Sequence, residues 1–468
     1  MATTAAVIAS SDLQQLASDV VSRALKAGAS DAEAVIAEGD EFSTQIRLGQ
    51  VETLKEAGSR AIGLHVYFGQ RTSTTSTSDF SAEGIARLVS GAVDLARVTS
   101  EDPFAELPAA SEFGTAPGDQ HLYFDDVYSM PVEERIEQAR RAEAAALAVD
   151  TRLQNSDCAS FDVGAGRKIL VNSRGFTGEY RRSYCSLSVA PIAQDENGMQ
   201  RDYWYTSART LSRLESPEEI GRIAAQRTLR RLGARRVPTQ KATIVFSPEI
   251  ARSIMGNILS AADGDAIYRS ASFFSGMLDK EVAGANVTII EDGTLVLKSD
   301  GILPGGMGGF GTTPFDGEGL PTRRKAIFER GVLKNYLLNT YTARKLGMQS
   351  TGNAARGLAG AAGIGAGNYY LEPGEVTPEQ LIGEVKTGLY VTQTMGFGVN
   401  LVTGDYSQGA SGLWIENGEL AYAVEEITIA GNLKDMYRNI STIANDLVFR
   451  SSGACPTIRI EGMTIAGA

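Results

Sequence analysis

The stretch TGDYSQGASGLWIENGELAYAVEEITIAGN, Thr403 to Asn432, carries the strongest structural signals of this chain. Asn417 and Gly418 separate two runs of alternating apolar and polar residues. This dipeptide favours a type I′ turn, because both central positions of that turn need positive φ. The sequence therefore predicts a β-hairpin here, with a buried strand from 424 to 429. Asn432 then offers a side-chain cap to the start of a helix.

Residues 403–412, just upstream of the hairpin, contain three glycines and follow neither a helical nor a strand period. We predict a loop whose backbone adopts conformations open mainly to glycine. Such a loop lets another backbone approach closely. The candidate residues for a peptide passage or a subunit interface in this loop are Gly404, Asp405, Tyr406, Ser407 and Gly409.

The same stretch carries a family resemblance. TGDYSQGASGLWIENGE followed by EEITIAGNLKDM resembles the signature of the TldD/PmbA family, and it is most similar to the PmbA (TldE) branch. The likeness extends to PFDGEG at 314–319, YTARKLGMQSTGN at 341–353 and EGMTIAG at 461–467. The N-terminal half resembles the family only in general layout.

Composition limits the possible functions. The chain has 468 residues and a net charge of −12. So acidic a protein is not expected to bind nucleic acid or anionic membranes, because both need a basic surface. No apolar run approaches the ~18 residues of a membrane span. Cys158, Cys185 and Cys455 are few and widely spaced, which predicts reduced thiols. We therefore expect a soluble, cytoplasmic protein.

The chain order predicts an α+β protein of two domains. Residues 1–240 form an N-terminal α+β domain with an antiparallel or mixed sheet and flanking helices. Its two sub-units, about 1–100 and 121–240, are joined by a linker at 101–120 that holds three prolines and no periodicity. Residues 241–468 form a β-rich, barrel-like C-terminal domain.

A helix is predicted after Ser247, since Pro248 suits the first helical position. Its apolar spine contains Ile250, Ile254 and Ile258, which lie at helical spacing. The opposite face is small and polar and includes Ser253 and Asn257. A narrow face of this kind can border a cavity, so Ser253 and Asn257 join the candidate passage residues.

This helix decides how the family resemblance is interpreted. The resemblance implies that the catalytic TldD branch carries HExxxH on the corresponding helix and uses it to bind the metal of a peptidase. Here residues 252–257 read RSIMGN, and the chain has only two histidines, His65 and His121. Metal-activated hydrolysis needs several ligands and a base. We expect no cofactor in this chain and a zinc or similar divalent ion in a partner subunit.

Other candidate groups have a structural and a functional interpretation. His65 lies in an alternating strand pattern, which favours a packed residue, and His121 adjoins the linker. Cys455 suits a packing role better than metal ligation. Asp316 and Glu318 of PFDGEG are either paired acid and base groups or, more simply, turn residues.

Two further motifs have structural alternatives. GMGGFG at 306–311 has the letters of a dinucleotide fingerprint but not its strand and helix context. The arginines near the end of the predicted 217–233 helix suit an anionic ligand or, more simply, the helix dipole. This group comprises Arg227, Arg230, Arg231, Arg235 and Arg236.

Three functional hypotheses follow. The resemblance implies a non-catalytic subunit of a heterodimeric TldD/TldE metalloprotease that cleaves unfolded peptides in proteolysis, peptide maturation or leader removal. The alternative is a homodimeric binding or modulator protein without a protease role. The third is an independent hydrolase that uses Cys455 or the Asp316 and Glu318 pair.

Overall fold

The computed structural model of the protein describes residues 10–196, 198–299, 301 and 303–467. The strands of the N-terminal half are β1 Asp31–Arg47, β2 Gln50–Phe68, β3 Arg71–Thr77, β4 Leu153–Asn172, β5 Thr177–Asp195, β6 Gly198–Arg201 and β7 Trp204–Ala208. Its α-helices are α1 Ser10–Lys26, α2 Ala82–Val98, α3 Val132–Leu147 and α4 Pro217–Leu229. Short 3-10 helices cover Ala110–Glu112, Asp125–Tyr128 and Leu211–Arg213.

These strands form one antiparallel sheet in the order β3-β2-β1-β4-β5-β6, with β7 also paired to β5. The predicted meander from 32 to 77 is confirmed, and its turns fall at Gly49 and Gly69, both with positive φ. One face of the sheet packs against all four helices. Ile36 and Ile62 face α1 and α2, while Phe42 belongs to the cluster under α3 and α4.

The segment predicted as a linker, 101–120, has no regular structure beyond one 3-10 turn. It is nevertheless fixed to the rest of the chain. Leu107 is fully buried, and its carbonyl accepts hydrogen bonds from Arg174 and Arg344 at 3.0 and 2.8 Å. Buried carbonyls need such partners, so this connection is an ordered part of the fold.

The C-terminal half contains five further α-helices among its described residues: α5 Pro248–Ala261, α6 Gly264–Tyr268, α7 Thr340–Leu346, α8 Pro378–Gly383 and α9 Leu433–Arg438. Its strands are β8 Gln240–Phe246, β9 Ile289–Asp292, β10 Val296–Leu297, β11 Met307–Gly308, β12 Arg324–Glu329, β13 Val332–Leu333, β14 Ala354–Ala355, β15 Gly363–Ile364, β16 Asn368–Leu371, β17 Thr387–Met395, β18 Asp405–Glu416, β19 Glu419–Asn432, β20 Ile440–Ile443, β21 Gly453–Ala454 and β22 Ile458–Ala466.

Five of these strands close into a barrel, as predicted for this half. The order is β19-β18-β17-β8-β22, and β22 pairs back onto β19 through Thr428 and Ala466. β8 and β17 run parallel, and the other pairs are antiparallel. A second sheet, β13-β12-β9-β16-β21, lies beside the barrel. Closure removes the free strand edges from the barrel.

The hairpin prediction is confirmed, while the loop prediction beside it is wrong. Asn417 and Gly418 have φ of 51° and 84° between β18 and β19, and Asn432 caps α9. However, β18 already begins at Asp405, inside the predicted loop. Its neighbours β17 and β19 supply backbone partners on both sides. A Cβ at Gly412 would lie 2.0 Å from the Tyr390 carbonyl oxygen, so glycine serves close packing within the sheet.

Candidate functional site

A cleft of about 220 Å³ opens at the first turn of α5, the helix on which the metal motif is expected. One wall is β7 of the N-terminal sheet, and the other comes from the loop between β20 and β22. The lining residues are Trp204, Tyr205, Pro248, Glu249, Arg252, Asp446, Val448, Arg450, Ser451, Gly453, Ala454 and Cys455. The cleft therefore lies where the two halves of the chain meet.

The predicted start of α5 is confirmed, and the cleft borders the first turns of this helix. Ser247 and Pro248 begin the helix, and Ile254 and Ile258 are buried as predicted. Ser253 is exposed, and its hydroxyl donates to a carbonyl of its own helix. The α5 residues that line the cleft lie at 248, 249 and 252. Helical periodicity identified the polar face, but only tertiary packing shows which part of it borders the opening.

Arg252 is the cation that α5 contributes to this cleft. Its Nη1 donates to Ser451 Oγ at 2.8 Å, and Ser451 Oγ donates to the Gly453 carbonyl at 3.0 Å. Gly453 leaves room for the Tyr369 ring, since a Cβ there would lie 2.3 Å from Tyr369 Cζ. A cation is thus fixed at the position where the resemblance predicts metal ligands.

Cys455 and Asp446 are the possible metal donors on the far wall. Cys455 is buried, and burial and then the charge of Asp446 raise the pKa of its thiol well above the ordinary value. The Asp446 carboxylate accepts from the amide and the hydroxyl of Thr457, both at 2.8 Å. Cys455 therefore remains a neutral thiol, which agrees with the packing interpretation.

This donor set does not fit a catalytic zinc ion. Such a site needs about three protein ligands and an open position for water. The cleft offers the protonated thiol of Cys455, the carboxylates of Glu249 and Asp446, and the fixed Arg252 cation. Within the described residues, no group of three His, Cys, Asp or Glu side chains is placed to hold a metal. His65 and His121 lie outside the residues that line the cleft.

Cations and an aromatic ring form the remaining wall. The guanidinium carbons of Arg227 and Arg450 each lie 4.8 Å from the centroid of the Trp204 ring. Arg450 also ion-pairs with Glu215. A guanidinium over an aromatic face is attracted to it, so Arg227 and Arg450 stabilise the position of the Trp204 ring beside the cleft.

The candidate residues at 404–409 lie at the start of β18 and not at this cleft. Gly404 has a φ of 89°, and the Asp405 carboxylate accepts from Asn432 at 3.1 Å and from Thr403 at 2.6 Å. Tyr406 is buried in the barrel core. A passage or interface role for Gly404, Asp405, Tyr406, Ser407 and Gly409, as for Ser253 and Asn257, remains a prediction.

The PFDGEG segment forms a turn, as the simpler interpretation predicted. Asp316 accepts the amides of Glu318, Leu320 and Ala354 at 2.9 to 3.0 Å. Burial, followed by the charge of Asp316, raises the pKa of Glu318 to about 7. Glu318 in turn accepts the amide of Thr340 at 2.9 Å. Both carboxylates are buried and engaged with the backbone.

His65 is a packed strand residue, as expected, but its setting is ionic. Its Nδ1 lies 3.0 Å from Arg356 Nη1 and 3.3 Å from Glu33 Oε1. Neither Glu33 nor Arg356 is part of a predicted site. An acid within an otherwise apolar strand, AEAVIA at 32–37, was the available signal, because buried charges are paired.

The remaining two motifs are structural. The run 306–311 crosses the buried side chain of Arg209, whose guanidinium donates to the carbonyls of Gly308 and Gly309 at 2.8 and 2.7 Å. It opens no helix. The arginines after α4 connect the halves of the chain. Arg231 donates to Gln393, and Arg236 ion-pairs with Glu426.

The described helices are all too short or too polar to cross a lipid bilayer.

Comparison with known families gives three consecutive matches. Residues 32–96, 125–232 and 239–467 match domain 1, the central domain and the C-terminal domain of the PmbA/TldA metallopeptidases. The division of this chain at residue 240 remains a prediction.

Similar proteins extend over nearly the whole chain. Metalloprotease PmbA of Escherichia coli O157:H7 is 39% identical, with 97% of each chain covered. A metalloprotease PmbA homolog of Haemophilus influenzae is 36% identical, with 97% of this chain and 96% of the relative covered.

Solved structures share the fold. A candidate modulator of DNA gyrase from Bacteroides thetaiotaomicron has a TM-score of 0.89 at 27% identity, covering 98% of this chain and 99% of that one. TldE from Thermococcus kodakarensis has a TM-score of 0.85 at 18% identity, covering 97% and 100%, a likeness of fold alone.

Proposed function

The chain belongs to the PmbA/TldA metallopeptidase family, and we propose that it is the non-catalytic subunit of a heterodimeric metalloprotease that cleaves unfolded peptides. The partner is a TldD-type chain that carries HExxxH and the zinc or similar divalent ion. The reaction is peptide bond hydrolysis, in general proteolysis or in peptide maturation by leader removal.

The observation that carries this proposal is the residue set at the first turns of α5. Arg252 is fixed by Ser451 where a metal ligand is expected, and Cys455 is the nearby thiol. A guanidinium repels a divalent cation, and a buried neutral thiol is a poor ligand. A family member with this cleft depends on another chain for the metal.

The experiment compares four preparations: this chain alone, the TldD-type partner alone, both together, and both with the glutamate of the partner's HExxxH changed to Gln. Cleavage of an unfolded, dye-labelled polypeptide is followed by fluorescence with and without a chelator. We expect cleavage only from the intact pair, and the chelator abolishes it. Chelator-sensitive cleavage by this chain alone overturns the proposal.

The similarity to structures named as candidate modulators of DNA gyrase supports the alternative, a homodimer without a protease role. Light scattering separates the two functions. A 1:1 complex with the TldD-type chain supports the protease subunit. A homodimer that does not bind the TldD-type chain supports the modulator function.

A further inference from the structure

The sheet face opposite the four helices has a cationic region surrounded by small residues. Cross-strand partners point to the same face. Gly39, Gly166 and Arg182 form one such row, and Ala37 and Lys168 belong to the next. Lys168 and Arg182, from neighbouring strands, therefore lie on the same face of the sheet. The residues beside them on this face have small side chains or none.

The C-terminal half covers only part of this face. Leu358 lies directly over Gly63, where a Cβ would be 1.9 Å from the Leu358 carbonyl oxygen. Beside it, the face is open as a groove of about 880 Å³. A smaller cavity of about 190 Å³ lies between the groove and the segment 356–358, and both spaces are lined by Ala37 and Arg182. The groove therefore continues into this smaller cavity.

The positive charges in the smaller cavity outnumber the negative ones. Its ionic lining comprises Glu38, Arg167, Lys168, Arg182 and Arg356. Arg167 pairs with Glu38, and Arg356 pairs with Glu33. The side chain of Arg182 forms no ion pair and no hydrogen bond with any described residue. The ammonium of Lys168 donates to the Arg356 carbonyl at 2.9 Å, which leaves two of its three donors available.

The lowered pKa of Lys168 agrees with a binding site for an anion. Burial, followed by the charges of Arg356 and Arg182, lowers the pKa of Lys168 to about 8. Burying a charge is costly unless the charge is paired. An anion between Lys168 and Arg182 relieves the repulsion and supplies the missing hydrogen-bond acceptors.

We propose that this cavity binds the C-terminal carboxylate of an unfolded peptide between Lys168 and Arg182. The inference rests on the proposed function, which supplies unfolded peptide as the ligand class. The cavity is smaller than the roughly 300 Å³ of typical ligand pockets, so it holds the end of a ligand. Leu358 covers the sheet beside this cavity, where its carbonyl lies over Gly63.

The wider groove suits the preceding residues of the same peptide. Gly39, Gly58 and Ala61 line it with little side-chain bulk, so an extended backbone can lie close to the sheet. Asp40 and Glu41 also line the groove, whereas neither lines the smaller cavity. Carboxylates in the groove disfavour an anion there, which assigns the negative charge of the peptide end to the smaller cavity.

The test uses two fluorescein-labelled, ten-residue Gly/Ser/Ala peptides that differ only in a free C-terminal acid or a carboxamide. Fluorescence anisotropy with the isolated full chain at pH 7 and 150 mM salt gives both dissociation constants. Charge-assisted hydrogen bonds are worth about 1.5–3 kcal/mol, so we expect the acid to bind at least tenfold more tightly. Equal affinities overturn the proposal.

Arg182→Gln is the principal variant because the side chain is exposed, and Lys168→Met is the second. Each should reduce the preference for the acid about tenfold. Arg181→Gln is the matched control. It removes the same charge one residue away, but Arg181 stacks on Tyr123, 3.7 Å from the ring centroid. Loss of the preference in Arg181→Gln, or its survival in both cavity variants, overturns the assignment.

A third peptide, with an internal Glu and a carboxamide end, separates a chain terminus from an acidic side chain. If it binds as tightly as the free acid, the terminus assignment is wrong. Cleavage of the same peptides by the complex with the TldD-type partner is measured in parallel. If the complex cleaves the peptides but the chain binds the free acid and the carboxamide equally well, this inference is wrong and the proposed function is still supported.

Discussion

Arg356 Nη2 lies 2.7 Å from Glu33 Oε1, and the two side chains are only 3% and 0% exposed. Arg356 follows β14 in the C-terminal half, and Glu33 lies in β1 of the N-terminal sheet. Burial opposes the ionisation of Glu33, but Arg356 and then His65 hold the pKa of its carboxyl below the usual value. Arg356 Nε also donates to the Gly317 carbonyl at 2.9 Å. This ion pair therefore fastens the two halves of the chain together.

Replacing Arg356 should destabilise the fold strongly. In Arg356→Met the Glu33 carboxylate stays buried without its partner, and breaking a buried pair from one side lowers the free energy of unfolding by about 3–5 kcal/mol. The urea midpoint at pH 7.5 measures the loss. The double variant Glu33→Gln/Arg356→Met should recover part of it, because no unpaired charge remains. A midpoint for Arg356→Met equal to that of the unaltered protein contradicts this account.

Glu318 should make the protein less stable as the pH rises. The folded-state pKa of Glu318, about 7, lies above the ordinary 4.5. The stabilisation of the fold by this group is therefore complete below pH 4.5 and is lost as the pH rises through about 7. Glu318→Gln removes this loss. Melting curves recorded at pH 5 to 8 give the free energy of unfolding of both proteins. That of the variant should rise relative to that of the unaltered protein, by on the order of 1–3 kcal/mol at pH 8. Parallel pH profiles exclude this role for Glu318.

Arg209 should fix the glycine-rich run at 306–311. Its guanidinium donates to the Gly308, Gly309 and Phe310 carbonyls. Arg209→Met leaves these acceptors unpaired, each costing about 1–3 kcal/mol when buried. Limited proteolysis should then cut the run faster, and Arg209→Lys should lie between the two because lysine lacks the planar fork. An unchanged cleavage pattern in Arg209→Met disproves this anchoring role.

The three cysteines should react with thiol reagents at different rates. Cys185 and Cys455 are buried, and burial raises the pKa of both thiols, that of Cys185 to about 12. Cys158 is only partly buried, so it forms the accessible thiolate first. Modification by a chromogenic disulfide at pH 8 should show one faster phase that Cys158→Ser abolishes. Persistence of that phase in Cys158→Ser means that a core cysteine is exposed.

The local elements were predictable because their signals lie within a few residues. Asn417 and Gly418 specify their turn through allowed φ values, and Ser81 caps α2 by accepting the Gly84 amide at 3.1 Å. The candidate cleft was predictable only as far as the helix that carries it. Trp204 and Arg450 are far apart along the chain, and no local pattern predicts that they meet.

The sequence by itself determined the α+β class, the hairpin, the helix starts and the absence of HExxxH, since each depends on residue type and short-range spacing. Only the tertiary structure decided that 405–412 is a barrel strand, that β22 closes onto β19, and that Arg356 reaches Glu33. It also decided that Lys168 and Arg182 share an open sheet face. These features depend on which distant strands pair, and strand pairing is set by long-range packing that one stretch of sequence does not contain.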